Sequence, residues 1–230
     1  MRIDLHAHTS AHSHCSVIKP DRLAELALAR GLDGVVLTEH NVWWSDAEAH
    51  GLRARHPGLT IYVGAEITTR EGYDVVVIGP SRPALPPLPP FDLLAERLTP
   101  ARADTFLFLP HAFRFFPRPT AHGERLLAAM DGLEMNSLNI LRTGWIREND
   151  RYVPLDHEIY EDALARHGLI PVYNSDAHRP LAVGAVATVL ELAEGAPPPG
   201  DEAALARALK AAPTREHQNP LLVGEFLAMF

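Results

Sequence analysis

The sequence predicts an α/β fold, and three observations predict it. Short runs rich in Val, Ile and Leu alternate with longer segments of helical apolar spacing, as happens when strands are joined by crossover helices. The 230 residues are 47% apolar and 22% charged, enough to bury a substantial core without disulfides or a structural metal. Five of the apolar runs end on His, Glu or Asp, side chains with chemistry to offer.

The first strand is read near Arg2–His6. A helix follows near 20–30, because Pro20 suits an opening turn, Leu23, Leu26 and Ala27 share one face, and Gly31 supplies a stop. Strands near Gly34–Thr38 and Thr60–Glu66 flank a helix near 46–55. Residues 68–72 are too few for a crossover helix before a fourth strand at Asp74–Gly79, so a hairpin-like excursion excludes a strict eightfold barrel. Residues 80–91 hold six prolines and read as a stiff surface connection, with a lid beside the active site as the alternative. The rest alternates: helix 91–101, strand Thr105–Pro110, helix 122–130, strand Gly132–Asn136, helix 156–167, strand Ile170–Asn174, helix 201–211. With no internal repeat and no boundary between separate cores, residues 1–230 read as a single domain. The apolar segment 221–230, LLVGEFLAMF, is expected to dock on the barrel or on a partner subunit, the second case making a homo-oligomer.

Composition narrows the function. Cys15 is the only cysteine, and the chain shows neither a leader pattern nor an apolar stretch of the ~18 residues a span needs, so it reads as cytoplasmic with no membrane partner. Twenty-nine acidic against 21 basic side chains give a net charge of −8, and only Lys19 and Lys210 are lysines, which argues against extended nucleic acid. Thirteen histidines point toward metal.

Asp4, His6 and His8 alternate at a strand end and are expected to project to one side, with Asp4 placed to accept the spare ring N–H of a ligand histidine. Glu39 and His40 close the second run, Glu66 the third, His111 the fifth, and Asp176 with His178 the last. Singly, each has an ordinary reading as a loop start, a solvated turn or a packed histidine. Jointly they converge, because a parallel barrel gathers its strand carboxyl ends at one face. Imidazole and carboxylate without thiolate suit zinc, manganese or iron, and a carboxylate such as Glu66 can bridge two ions. Cys15 is a weak further candidate.

The succession DLHAHT (4–9), LTEHN (37–41), GAEI (64–67), PHAF (110–113) and NSDAH (174–178) resembles the polymerase and histidinol phosphatase (PHP) superfamily. The resemblance implies a distorted (β/α)7 TIM-like barrel with two or three divalent metals, Zn, Mn or Fe, at the carboxyl-end mouth. Carried over by position, it implies a first ion on His6, His8, Glu66 and Asp176, and a second on Glu66 and His111. The third would take His14, His40 and His178, while His12 is read as lying at the surface or behind the ligands. Two departures stand out: Gly79-Pro80-Ser81 where some relatives place a histidine after the fourth strand, and Glu39 where many have Asp; Gly132–Asn136 also resembles the family's sixth strand end, which implies that Asn136 lines the pocket without binding metal.

The implied activity is hydrolysis of a small-molecule phosphate monoester by metal-activated hydroxide, with Asp176 and His178 in the catalytic centre. Arg114 and Arg179, just past ligand positions, are the expected phosphate contacts. Two alternatives stand: a phosphodiesterase or nuclease acting on nucleotide ends, and a non-phosphate hydrolase or metal-binding module without catalysis.

Overall fold

The computed structural model describes residues 1–114, 118 and 120–230. Its core is one sheet built from β1 (Arg2–Ala7), β2 (Gly34–Leu37), β3 (Thr60–Thr68), β4 (Asp74–Ile78), β5 (Phe106–Leu109) and β6 (Gly132–Asn136). A separate hairpin comprises β7 (Trp145–Glu148) and β8 (Arg151–Pro154), and the sheet is completed by β9 (Ile170–Tyr173), β10 (Val186–Leu190) and β11 (Thr214–Gln218). The helices are α1 (Pro20–Ala29), α2 (Asp46–Arg55), α3 (Phe91–Leu98), α4 (Ala121–Ala129), α5 (Leu138–Leu141), α6 (His157–His167), α7 (Glu202–Ala211) and α8 (Pro220–Leu227).

The strand order is β11-β10-β1-β2-β3-β4-β5-β6-β9, and its two ends curl together. Ala7 bridges Ala177 just beyond β9, the Tyr173 N–H donates to Thr188 Oγ1 of β10 at 2.9 Å, and Thr214 Oγ1 of β11 donates to Pro171 O at 2.6 Å. The sheet is thus a nearly closed, distorted barrel, the architecture expected.

Strand alternation sorts the core into layers. Val35, Leu37, Ile61 and Val63 pack on Leu23 and Ala27 of α1 and Leu52 of α2. Val75, Val77, Leu107 and Leu109 meet Leu94 of α3 and Leu126 of α4. The opposite faces of the same strands carry Val36, Tyr62, Val76, Phe106 and Phe108, which fill the inside with Ile3 and Leu5, and with Leu205 and Leu209 of α7 against them.

Several local features depart from simple alternation. Strand β4 runs antiparallel to both β3 and β5, so the chain turns back at Thr69–Gly72 instead of crossing over. The helix read to residue 101 stops at Leu98 and continues as a 3-10 helix, Thr99–Asp104, because Pro100 has no N–H to donate. The register of β1 on β2 slips between Asp4 and Ala7, and that of β6 on β9 slips between Glu134 and Asn136. Strands β7, β8, β10 and β11 and helices α5 and α8 are additional to the elements read from sequence. The apolar tail forms α8, capped by Asn219 Oδ1, with Val223 and Phe226 buried against this chain's own barrel.

Gly132 opens β6 where a Cβ would stand 2.8 Å from Phe106 Cζ and 2.9 Å from Ile170 O. Gly132→Ala is expected to cost about 1–3 kcal/mol by urea denaturation. Gly200→Ala, at a site with nothing within 4 Å, should change stability by under about 0.5 kcal/mol.

Candidate metal centre

Glu66 lies in β3 at the barrel mouth, almost fully buried, and imidazoles surround it. Its Oε1 is 3.1 Å from His111 Nε2, and its Oε2 is 2.8 Å from His40 Nδ1, 3.4 Å from His8 Nε2 and 3.5 Å from His6 Nε2. Asp176, beyond β9, faces the same histidines, with Oδ1 3.3 Å from His8 Nε2 and 3.5 Å from His6 Nε2. His6, His8, Glu66 and Asp176 are all buried. Yet His6 Nε2, His8 Nε2, Glu66 Oε2 and both Asp176 oxygens make no hydrogen bond. Buried polar atoms are ordinarily paired, and leaving several unpaired together costs several kcal/mol. One or more cations would satisfy all of them.

The partners on the far side of each ring fix which nitrogen faces the cluster. His6 Nδ1 lies 3.1 Å from Glu134 Oε1, and Glu134 also accepts the Asn174 Nδ2 hydrogen bond and the His111 N–H. His8 Nδ1 meets Ser13 Oγ at 3.4 Å, and that hydroxyl donates in turn to Glu39 Oε2. His178 Nδ1 donates to Asp176 O at 3.0 Å. Each arrangement leaves Nε2 as the lone-pair nitrogen, as a metal ligand requires.

Electrostatics of the metal-free site follow. Burial pushes His8 down to about 4, so it is neutral. Burial also pulls on His6, but Asp176 and Glu66 outweigh it and hold it well above the usual imidazole range. His111 is lifted to about 9 by Glu66 against the pull of burial. Glu66 and Asp176 stay ionised despite burial because His6 and the other imidazoles lie against them. The backbone is constrained here too, with left-handed φ at Asn41 (58°), His111 (32°) and Asp176 (49°), a conformation that non-glycine residues hold at a cost and that concentrates at functional sites.

Four groups of potential ligands have donor atoms within 4.8 Å of one another among the described residues. They are His6, His8 and Glu66; His6, His111 and Asp176; Glu66, Asp74 and His111; and His8, His40 and His178. The donor set is imidazole and carboxylate, so the residues present fit divalent transition ions.

The profile of the PHP domain matches residues 4–211. The chain belongs to the PHP domain family. No curated protein matches it. Among solved structures it is similar to PsfC from Pseudomonas syringae PB-5123, at 19% identity and TM-score 0.69, covering 99% of this chain and 96% of that one. A two-domain protein from Bacteroides vulgatus ATCC 8482, described as containing a predicted PHP-like metal-dependent phosphoesterase, shares 18% identity at TM-score 0.67, covering 95% of this chain and 65% of that one. An amidohydrolase from Chromobacterium violaceum with bound sulfate and no metal shares 17% identity at TM-score 0.58, covering 80% and 90%. These likenesses concern the fold.

Within this PHP domain the structure redistributes several expected roles. His14 is exposed and outside the four groups, and His8 stands with His40 and His178 where His14 was expected. His12 is half-buried and pairs with Glu48. Asp4 does not project with His6 and His8, because the bulge in β1 interrupts the alternation. It accepts instead from the Ser175 N–H and hydroxyl, and burial raises it to about 7. Glu134 holds the role expected of Asp4. Asn136 does not line the mouth: the bulge in β6 turns it to Tyr152 O and Glu216 Oε1. Glu39 braces the first loop, accepting from Thr9, Ser13 and Trp44. Ser81 is not at a ligand position, because the carboxyl end of antiparallel β4 leads away from the mouth. The start of that strand, Asp74, faces Glu66 and His111 instead, a position the hairpin-like excursion could have signalled.

Calorimetric titration with zinc or manganese should show Glu134→Ala weakening binding about 10- to 100-fold, with His14→Ala unchanged. Because His6 and His111 are protonated at neutral pH in the metal-free site, binding should release protons, and affinity should rise with pH up to about 9. Titration in buffers of differing ionisation enthalpy reads this directly.

Proposed function

We propose that this PHP domain is a metal-dependent hydrolase of phosphate monoesters of small molecules, with His6, His8, His40, Glu66, Asp74, His111, Asp176 and His178 holding two or three divalent ions of zinc, manganese or iron. One observation carries the reading: Asp176 and His178 line a cavity of about 300 Å³ together with Arg114, Arg142 and Arg179. In a chain of net charge −8, three guanidiniums gathered at the one mouth where carboxylates and imidazoles converge make a local cationic site. Arg142 was not among the residues singled out from the sequence.

When bound, the ions supply a water activated at neutral pH and positive charge against the phosphoryl oxygens. The chain's own residues orient the ester. Arg114 and Arg179 offer planar, bidentate N–H pairs to phosphoryl oxygens, which Lys cannot match. Asp176 and Glu66, both ionised, define where positive charge collects. His178, half-buried at the cavity, has Nδ1 held by Asp176 O, which leaves Nε2 to hold an ion beside the ester. The limited cavity and the acidic surface favour one phosphate over a polymer, which needs several contacts beyond the pocket.

Turnover of an aryl phosphate is expected to exceed that of the corresponding diester and of a short oligonucleotide. Asp176→Ala should abolish it at saturating metal, Ser81→Ala should leave it intact, and Arg179→Leu should raise KM about tenfold or more. Faster cleavage of the diester or oligonucleotide, with steep salt dependence, would select the nuclease reading. Bound metal with no turnover of any ester would select the non-catalytic module.

A further inference from the structure

The cationic and metal-facing groups account for only part of the cavity lining. The remainder includes Leu138 at the start of α5, Phe226 of α8 and Phe230. Phe226 is 7% exposed and anchored in the core, whereas Phe230 is 68% exposed and lines the same cavity. The two rings lie 5.4 Å apart at 53°, and the Arg142 guanidinium stacks 4.3 Å from the Phe230 centroid. Phosphate recognition has no use for these surfaces. A phosphoryl group carries no apolar area to bury, and an arginine held on a ring presents a flat cationic face rather than a lone charge.

We propose that Phe226, Phe230, Leu138 and the stacked Arg142 form a leaving-group subsite that selects monoesters of aromatic alcohols. This rests on the phosphomonoester reading and names its substrate class. An aromatic ring entering beside Phe230 buries apolar area on Phe226 and Leu138 and meets the guanidinium of Arg142, while the ester oxygen points toward His178 and Asp176 within the same cavity. The wall is built by α8, held in place by the Asn219 cap and buried Val223, so it is part of the folded barrel. The second large cavity, about 540 Å³ between the Asn41–Trp43 segment and prolines 83–89, offers no charged side chain to anchor an ester and is not the subsite.

The test compares two non-hydrolysable ligands of equal charge, benzylphosphonate and propylphosphonate, by calorimetry on the zinc-loaded protein. Benzylphosphonate is expected to bind about tenfold more tightly. Phe230→Ala, at an exposed position that folding tolerates, should bring the ratio of benzylphosphonate to propylphosphonate affinity close to one, and Phe226→Leu should reduce it. Equal affinity for the two phosphonates in the unmodified protein, or a preference that survives Phe230→Ala, would overturn the proposal. The same pair as phosphate esters separates this from the hydrolase reading. A binding preference without cleavage of benzyl or propyl phosphate would sink the hydrolase reading while supporting the subsite. Cleavage without any binding preference would sink the subsite alone.

Discussion

Two carboxylates shut inside a barrel mouth, Glu66 and Asp176, set the terms for the rest of the molecule. Removing an ionised carboxylate from water costs several kcal/mol unless positive charge and hydrogen bonds replace the solvent. Here the replacement is a ring of imidazoles within 2.8–3.9 Å, and even these leave Glu66 Oε2 and both Asp176 oxygens without a hydrogen bond. A divalent cation would satisfy them.

Holding those histidines in the ligating tautomer demands a layer of support, and the structure supplies it with buried polar residues that have no direct view of the cavity. Glu134 is the centre of one set, tying His6, the His111 backbone and Asn174 together. Glu39 is the centre of the other, gathering Thr9, Ser13 and Trp44 so that Ser13 can face His8. Such fully connected networks rigidify a site because each member loses its partner if any one moves. The left-handed backbone at His111 and Asp176 fits the same picture, with local strain held by surrounding structure.

The reversed strand β4 and the tail helix α8 give this barrel its individual character. Reversal swaps which end of the strand reaches the mouth, bringing Asp74 to Glu66 and His111 and leading Ser81 away from them. The tail helix closes one side of the cavity beside Asp176 and His178 with aromatic surface next to arginines, placing charged and apolar surface in a single pocket.

The seven strands and six helices legible in the sequence follow from periodicity, and the clustered positions His6, His8, His40, Glu66, His111, Asp176 and His178 were legible because each lies at the end of an apolar run. Periodicity and strand ends are local properties, written into neighbouring residues. What the sequence alone did not determine depends on register and direction. A one-residue bulge moves Asp4 and Asn136 off the ligand face and leaves the orienting role to Glu134, and no local pattern marks where such a slip occurs. The partners of the polar strand β11 and the docking of α8 likewise require surfaces contributed by residues distant in sequence, such as Pro171 beside Thr214 on one seam and Leu138 beside Phe226 at the pocket. Strand direction, bulge position and the seating of the tail were therefore decided by tertiary packing, because each is settled by which distant surfaces can be buried together rather than by any residue's own neighbours.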